Sequence, residues 1–246
     1  MLRRICWLLP YEMRHFAFKV VHPTLYRTLQ RLRTVEPETR RGKSLKPFVD
    51  HKCIFVHIPK CAGISVAYTL FGHRGGAHYS IEKYQKIFTK TEFEEFFKFT
   101  IVRNPWDRLV SAYHYFLQGG RNEKDRRWAE KHLSKYETFN DFVKEWISRD
   151  RVFKSLVFRP QYSFVCLPGS LTPTVDFIGR FENLDADFSY IKKKLAISAP
   201  DLPSLNKSKA RKNDYRKYYN GETRQIIADV YREDIELFDY NFDNVS

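Results

Sequence analysis

Cys53-Ile-Phe-Val-His-Ile-Pro-Lys-Cys-Ala-Gly-Ile-Ser65 is the stretch on which the fold turns. Cys53 to His57 is a short apolar run of the kind that forms a buried strand. Val66-Ala-Tyr-Thr-Leu70, just after it, suits a helix. Strand, glycine-bearing loop and helix in that order place a ligand beyond the carboxyl end of a strand in an open α/β sheet. The first amides of such a helix are unpaired and sit at the positive end of its dipole, so they hold an anion. Gly63 lets backbone approach that anion closely. Lys60 adds a mobile charge and Ser65 a hydroxyl in the first helical turn. The stretch departs from G-x-x-x-x-G-K-[ST]: its lysine precedes the glycine, and no Lys-Ser or Lys-Thr pair follows. No side chain is therefore placed in the usual way for Mg²⁺. The plainer alternative is an ordinary strand-to-helix turn with a solvated lysine.

A second apolar run, Phe97-Lys-Phe-Thr-Ile-Val102, meets Arg103-Asn-Pro-Trp-Asp107. Pro105 fits a first helical turn, and that helix should run to about Leu117. Arg103 then falls just past a strand and Ser111 on the helix, a pair able to clamp a phosphate with a planar guanidinium fork. A nucleoside triphosphate enzyme often puts a metal-holding acid after such a strand; this chain has arginine. Asp107 and Arg108 read as capping and pairing on the helix. A third run, Val175-Asp-Phe-Ile-Gly179, ends at Arg180. Helices are expected from Asp185 to Leu195 and from Glu222 to Phe238. This alternation predicts an α/β fold, a P-loop-like parallel sheet flanked by helices.

The 246 residues make one large domain, or a domain with an appended segment. A hydrophobic content of 43% excludes a disordered chain. Lys plus Arg is 43 against 29 acids, a formal charge of +14, which suits anionic partners. Half of that excess lies in residues 1–50, where 11 basic residues face four acids. This block reads as a basic helical segment and linker ahead of a domain spanning 51–246. Leu25, Leu29 and Leu32 recur at helical spacing, between Arg27, Arg31 and Arg33. That helix either packs on the core or docks on an acidic membrane surface. No segment is long and apolar enough to span a membrane. The start has no cleavage pattern and reads as retained. Cys6, Cys53, Cys61 and Cys166 are scattered, with no C-x-x-C spacing, which points to a reduced compartment and away from zinc. The expected location is cytoplasmic or peripheral to a membrane.

The two loop segments together resemble the carbohydrate sulfotransferases. Val56-His-Ile-Pro-Lys-Cys-Ala-Gly-Ile-Ser65 is similar to their 5′-phosphosulfate loop. Ile101-Val-Arg-Asn-Pro-Trp-Asp-Arg-Leu-Val-Ser-Ala-Tyr113 is similar to their 3′-phosphate segment. The resemblance points to the branch with heparan sulfate 2-O- and chondroitin-type sulfotransferases. Arg159-Pro-Gln-Tyr162, Phe177-Ile-Gly-Arg-Phe-Glu-Asn-Leu184, Leu205-Asn-Lys-Ser208 and Tyr218-Tyr219 agree with it, so it covers about residues 52–241. It implies the sulfotransferase fold and transfer of a sulfuryl group from 3′-phosphoadenosine 5′-phosphosulfate (PAPS) to a hydroxyl of a saccharide acceptor. Carried over, Lys60, Ser65 and the amides of Cys61, Ala62, Gly63 and Ile64 hold the 5′ phosphosulfate. Arg103 and Ser111 hold the 3′ phosphate. Arg180, Lys207 and Arg211 close over the nucleotide. Cys61 stands where the family often has threonine, so a hydroxyl contact there is in question while a backbone contact is not.

The acceptor needs a base, and the chain has eight histidines. The family places a catalytic histidine in a Gly-x-His-x-Ser/Thr context, which Gly76-Ala-His-Tyr-Ser80 fits, so His78 is the expected base and Lys60 its catalytic partner. His73 and Glu82 are the other candidates; His57 reads as a loop-orienting residue and His114 as packing. The reaction is then an in-line displacement at sulfur that asks for no metal. Two other classes compete. A P-loop kinase would depend on Mg²⁺ and ATP. A non-catalytic basic protein for nucleic acid or a membrane surface would show salt-dependent binding without nucleotide affinity. Nucleic acid is not an expected partner of the enzyme reading.

Overall fold

The computed structural model describes residues 9–202 and 214–243. The chain folds as two compact units. The first comprises the described parts of Met1–Ile58, Ala62–Val102 and Tyr162–Pro203; the second, those of Pro59–Cys61, Arg103–Gln161 and Ser204–Ser246.

The first unit is α/β. Strands β1 (Cys53–Val56), β2 (Phe97–Val102) and β3 (Phe177–Arg180) form a parallel sheet in the order β1-β2-β3. Val56 pairs with Thr100 and Val102 with Arg180, so the three carboxyl ends lie along one edge. All four residues of β1 are buried, as a strand covered on both faces requires. The Thr100 hydroxyl donates to the Val56 carbonyl at 2.7 Å, a side-chain tie between β1 and β2. Parallel pairing demands a crossover. Helices α4 (Gly63–Phe71), α5 (Ile81–Ile87) and α6 (Lys90–Glu95) supply it between β1 and β2. Thr89 opens α6 with a reciprocal capping box to Glu92. Short α11 (Tyr162–Val165) precedes β3, and α12 (Leu184–Lys194) follows it.

The basic amino-terminal block belongs to this unit. Helices α1 (Tyr11–Val21) and α2 (Pro23–Arg31) pack against α5, and α3 (Lys46–Asp50) packs against β1. Packing thus groups residues 9–50 with the sheet. The leucine stripe expected to face one way is split: Leu29 is buried, whereas Leu25 is exposed.

The second unit is helical among the described residues: α7 (Pro105–Leu117), α8 (Glu123–His132), α9 (Phe139–Trp146), α10 (Arg149–Lys154), α13 (Gly221–Val230) and α14 (Arg232–Leu237). Its core is strongly aromatic. Phe142 stacks on Trp146 with centroids 5.3 Å apart, and Phe158 packs against both. Such rings bring large apolar area and directional edge and face contacts. The third strand starts at Phe177, two residues into the apolar run, and ends at Arg180. One expectation shifts. The helix expected over 222–238 is broken at Tyr231, whose buried hydroxyl donates to the Phe158 carbonyl at 2.7 Å.

Candidate functional site

In the first unit the site grows from the carboxyl end of β1. Where the chain re-enters this unit after the loop, a non-glycine residue takes the left-handed region, Ala62 at φ +57°. Strain of this kind persists where the surroundings over-determine it, often at ligand clamps. Ala62 is the N-cap of α4, and no side chain caps that helix. The amides of Ser65 and Val66 already turn back to the Ala62 carbonyl, at 2.9 and 3.2 Å. The earlier helical amides have no intrahelical partner by construction, and this nine-residue helix presents them at the end where its dipole favours an anion.

Gly63 is required by packing. A Cβ at this position would lie 2.0 Å from Cδ2 of His57. The His57 ring is held there by stacking on Phe55, with centroids 5.5 Å apart. Gly63→Ala is therefore expected to cost about 1–3 kcal/mol, the range for overpacking a filled site. Urea unfolding checks it; an unchanged midpoint would mean that the His57 ring swings aside freely.

His78 lies against the same ring, with centroids 4.2 Å apart. Its Nδ1–H donates to the His57 carbonyl at 2.9 Å. A carbonyl can only accept, so this bond places a proton on Nδ1, and in the neutral ring the lone pair then falls on Nε2. The ring is half-buried and oriented. That is the form a general base needs.

The other candidates differ. His73 is buried, and its Nδ1 accepts from the Gly75 amide at 3.0 Å. Its proton therefore sits on Nε2, 3.6 Å from the Glu36 carboxylate. Burial lowers its pKa. It is a bracing histidine with no lone pair to offer. Glu82 is engaged by Lys86 at 2.5 Å. Ser65 is half-buried in the first turn of α4. Arg180, at the end of β3, has its amide held by Asp187 at 2.6 Å.

In the second unit, Pro59–Cys61 are fastened by three buried side chains. Arg108 donates through Nε to the Pro59 carbonyl at 3.0 Å, and through Nη2 to the carbonyls of Val157 and Arg159. It makes no carboxylate pair within the helix, contrary to its sequence reading, because it is fully sunk beneath the loop. The amide of Gln161 accepts at Oε1 from the Arg103 N–H at 2.9 Å and from the Cys61 thiol at 3.3 Å. Its Nε2 donates to the Arg103 carbonyl at 2.8 Å. Cys61 therefore turns its side chain inward, and only its backbone is left to meet a ligand. The third clamp is Arg103 itself, whose Nη1 donates to the Lys60 carbonyl at 3.1 Å. Its Nε donates to Asp107 at 2.8 Å. Asp107 and Ser111 are four residues apart on α7, so they share a helix stripe.

Lys60 lies in a positive field. Its Nζ is 4.4 Å from the centre of the Tyr115 ring. Burial, then the charges of Arg103 and Arg121, lower its pKa to about 8. An anion beside it would offset the neighbouring cations and favour the charged ammonium, so the residues present fit a phosphosulfate. Gln161 and Tyr115 escaped the sequence reading. Gln161 was visible only inside Arg159-Pro-Gln-Tyr162, and nothing local marks Tyr115. The structure brings Lys60, Cys61, Arg103 and Gln161 together in this unit, and His57, Gly63, Ser65 and His78 are disposed around β1 and α4 in the other. Lys207 and Arg211 lie outside the described residues. Among those described, no cluster of three or more histidine, cysteine or acidic side chains is arranged to hold a metal.

Comparison with known proteins follows the same residues. The profile described as "Sulfotransferase family" matches residues 48–241. A "Carbohydrate sulfotransferase 10" of Rattus norvegicus is 30% identical over 189 residues, covering 65% of this chain and 51% of the relative. That of Danio rerio is 28% identical over 184 residues, covering 62% and 50%. An uncharacterized protein of Archaeoglobus fulgidus is 28% identical over 128 residues, covering 52% of this chain and 89% of that one. The matches span about half the length of the carbohydrate sulfotransferases. No solved structure matches.

Proposed function

The chain belongs to the sulfotransferase family, and on that premise we propose that it moves the sulfuryl group of PAPS to a hydroxyl of a carbohydrate. The observation that carries the reading is His78, whose ring is oriented by its Nδ1–H bond to the His57 carbonyl and by its packing on the His57 ring. The names of the vertebrate relatives support a carbohydrate as acceptor. Residues 51–246 would be the transferring domain, with 1–50 as its accessory segment.

The donor supplies an activated sulfuryl group on a phosphate leaving oxygen. His78 Nε2 takes the acceptor hydroxyl proton as the new oxygen–sulfur bond forms. The bond from sulfur to the phosphate oxygen breaks, and adenosine 3′,5′-bisphosphate leaves with the electron pair. Lys60, Ser65 and the amides from Cys61 to Ile64 stabilise the charge that grows on that oxygen and on the sulfuryl group. Arg103 and Ser111 take the 3′ phosphate. Asp107 holds the Arg103 fork in place. Arg180, Lys207 and Arg211 are assigned to the nucleotide on the family motifs alone.

The direct test is transfer of labelled sulfate from PAPS onto a panel of saccharide, lipid and simple alcohol acceptors. Labelling confined to saccharides is the expected result, and labelling of none overturns the reading. A binding test separates the phosphate sites. Adenosine 3′,5′-bisphosphate at a hundredfold excess over its Kd should stabilise the fold by about 2.7 kcal/mol. Adenosine 5′-monophosphate should do much less. Equal shifts in melting would remove Arg103 and Ser111 from the 3′ phosphate.

A further inference from the structure

Helix α1 carries its polarity the wrong way round for a helix facing water. Its inward stripe is Tyr11, Arg14, His15 and Phe18, at spacing i, i+3, i+4, i+7. The Tyr11 hydroxyl donates to the Phe88 carbonyl at 3.0 Å, and Arg14 donates to the Gln85 side chain at 2.9 Å. Lys83 Nζ lies 4.4 Å from the centre of the Phe18 ring. The opposite stripe, Met13, Phe16, Ala17 and Val20, repeats the same spacing and is apolar throughout. Met13 is 53% exposed, Phe16 66% and Val20 59%; Leu9 and Val21 extend the patch at its two ends. A surface helix normally puts its apolar stripe inward and its charges outward. A contiguous exposed apolar patch rimmed by polar residues marks an interaction surface.

The charge around the patch selects its partner. Both α1 and α2 pack on α5, so their far sides look away from the sheet. Lys19, Arg27 and Arg31 are exposed on these two helices. The acid on the outer side, Glu12, is already met by Lys90 at 3.3 Å. Over residues 9–33 the exposed basic side chains are these three, against this one acid. A second copy of the chain docking through the same patch would set like charges against each other. An acidic lipid surface meets both features at once. Among the described residues no helix is long and apolar enough to cross a membrane, so the contact is with the surface.

We propose that α1 lies in the plane of an anionic phospholipid surface, with Met13, Phe16 and Val20 entering the acyl boundary and Lys19, Arg27 and Arg31 facing the headgroups. The patch contains none of the residues assigned to transfer, so this proposal stands or falls apart from the function proposed above. The test is flotation of the full chain with phosphatidylcholine vesicles, with and without phosphatidylserine. Binding should require phosphatidylserine and weaken with salt. Phe16→Asp and Val20→Asp should abolish it. Both positions are largely exposed, so each variant should keep its circular dichroism melt and its activity on a soluble acceptor. Arg27→Ala combined with Arg31→Ala should weaken it by about 25-fold, at about fivefold per basic residue. Undiminished flotation of the aspartate variants overturns the proposal. So does failure of the unmodified chain to float with acidic vesicles. A dimer that Phe16→Asp dissociates, with no vesicle binding, would give the patch to a second copy.

Discussion

His78→Ala is expected to lower turnover by about 10²–10⁴, the usual worth of a positioned general base, while leaving bisphosphate binding nearly intact. The loss should be selective because the assigned phosphate-binding residues sit on other segments. The acidic side of the rate profile should go with it: only a neutral imidazole accepts the proton, so the unmodified enzyme slows as pH falls and the variant should not. His73→Ala is the matched control. That ring is buried and its Nδ1 is already spent on the Gly75 amide, so its loss should appear in stability more than in turnover. Glu82→Ala removes a carboxylate held by Lys86 and should change turnover little. If His78→Ala keeps full turnover while either control loses it, the base is misassigned. The sulfotransfer reading would survive that outcome.

Lys60→Ala is expected to cost about 10²–10³ in turnover, as removal of one preorganised transition-state donor does. Bisphosphate affinity should fall much less, since the loop amides and Arg103 remain. The pH dependence of binding carries a second signature. Burial and neighbouring cations bring the Lys60 pKa down from 10.5 to about 8. The lysine is therefore charged at neutral pH and loses its proton as pH rises through about 8. An anion prefers the charged form, so bisphosphate should bind progressively more weakly above that pH, by at most about tenfold per unit. Lys60→Arg should flatten this limb, because a guanidinium does not titrate there. A titration of Kd against pH by calorimetry measures it. A Kd that stays flat to pH 10 in the unmodified chain would detach Lys60 from the anion.

Much of the frame was legible in local pattern. The apolar runs Cys53 to His57 and Phe97 to Val102 are bounded by loop residues, and they form the strands Cys53–Val56 and Phe97–Val102. Pro105 starts a helix that ends at Leu117, as its missing N–H and fixed φ dictate. The helix at 222–238 breaks at Tyr231, whose hydroxyl donates to the Phe158 carbonyl, 73 residues away in sequence. The run of helices between Glu123 and Lys154 went unread, because its apolar positions serve an aromatic core shared with distant segments.

The sequence by itself determined the parallel α/β frame, the loop from His57 to Ser65 and the family motifs around Lys60, Arg103 and His78. These depend on short-range periodicity, turn chemistry and the order of segments, all written within a few residues of one another. The tertiary structure alone decided which side chains the loop rests on and which form each takes. Gln161 reaches Cys61 across 100 residues. His78 receives its tautomer from a carbonyl 21 residues back. Lys60 has its pKa lowered by burial and by arginines on another segment. The outward apolar face of α1 follows the same rule. Both of its stripes have helical spacing, and packing against α5 chose which one to cover. Hydrogen bonds, desolvation and Coulomb fields act over ångströms in space, and residues remote in sequence set them.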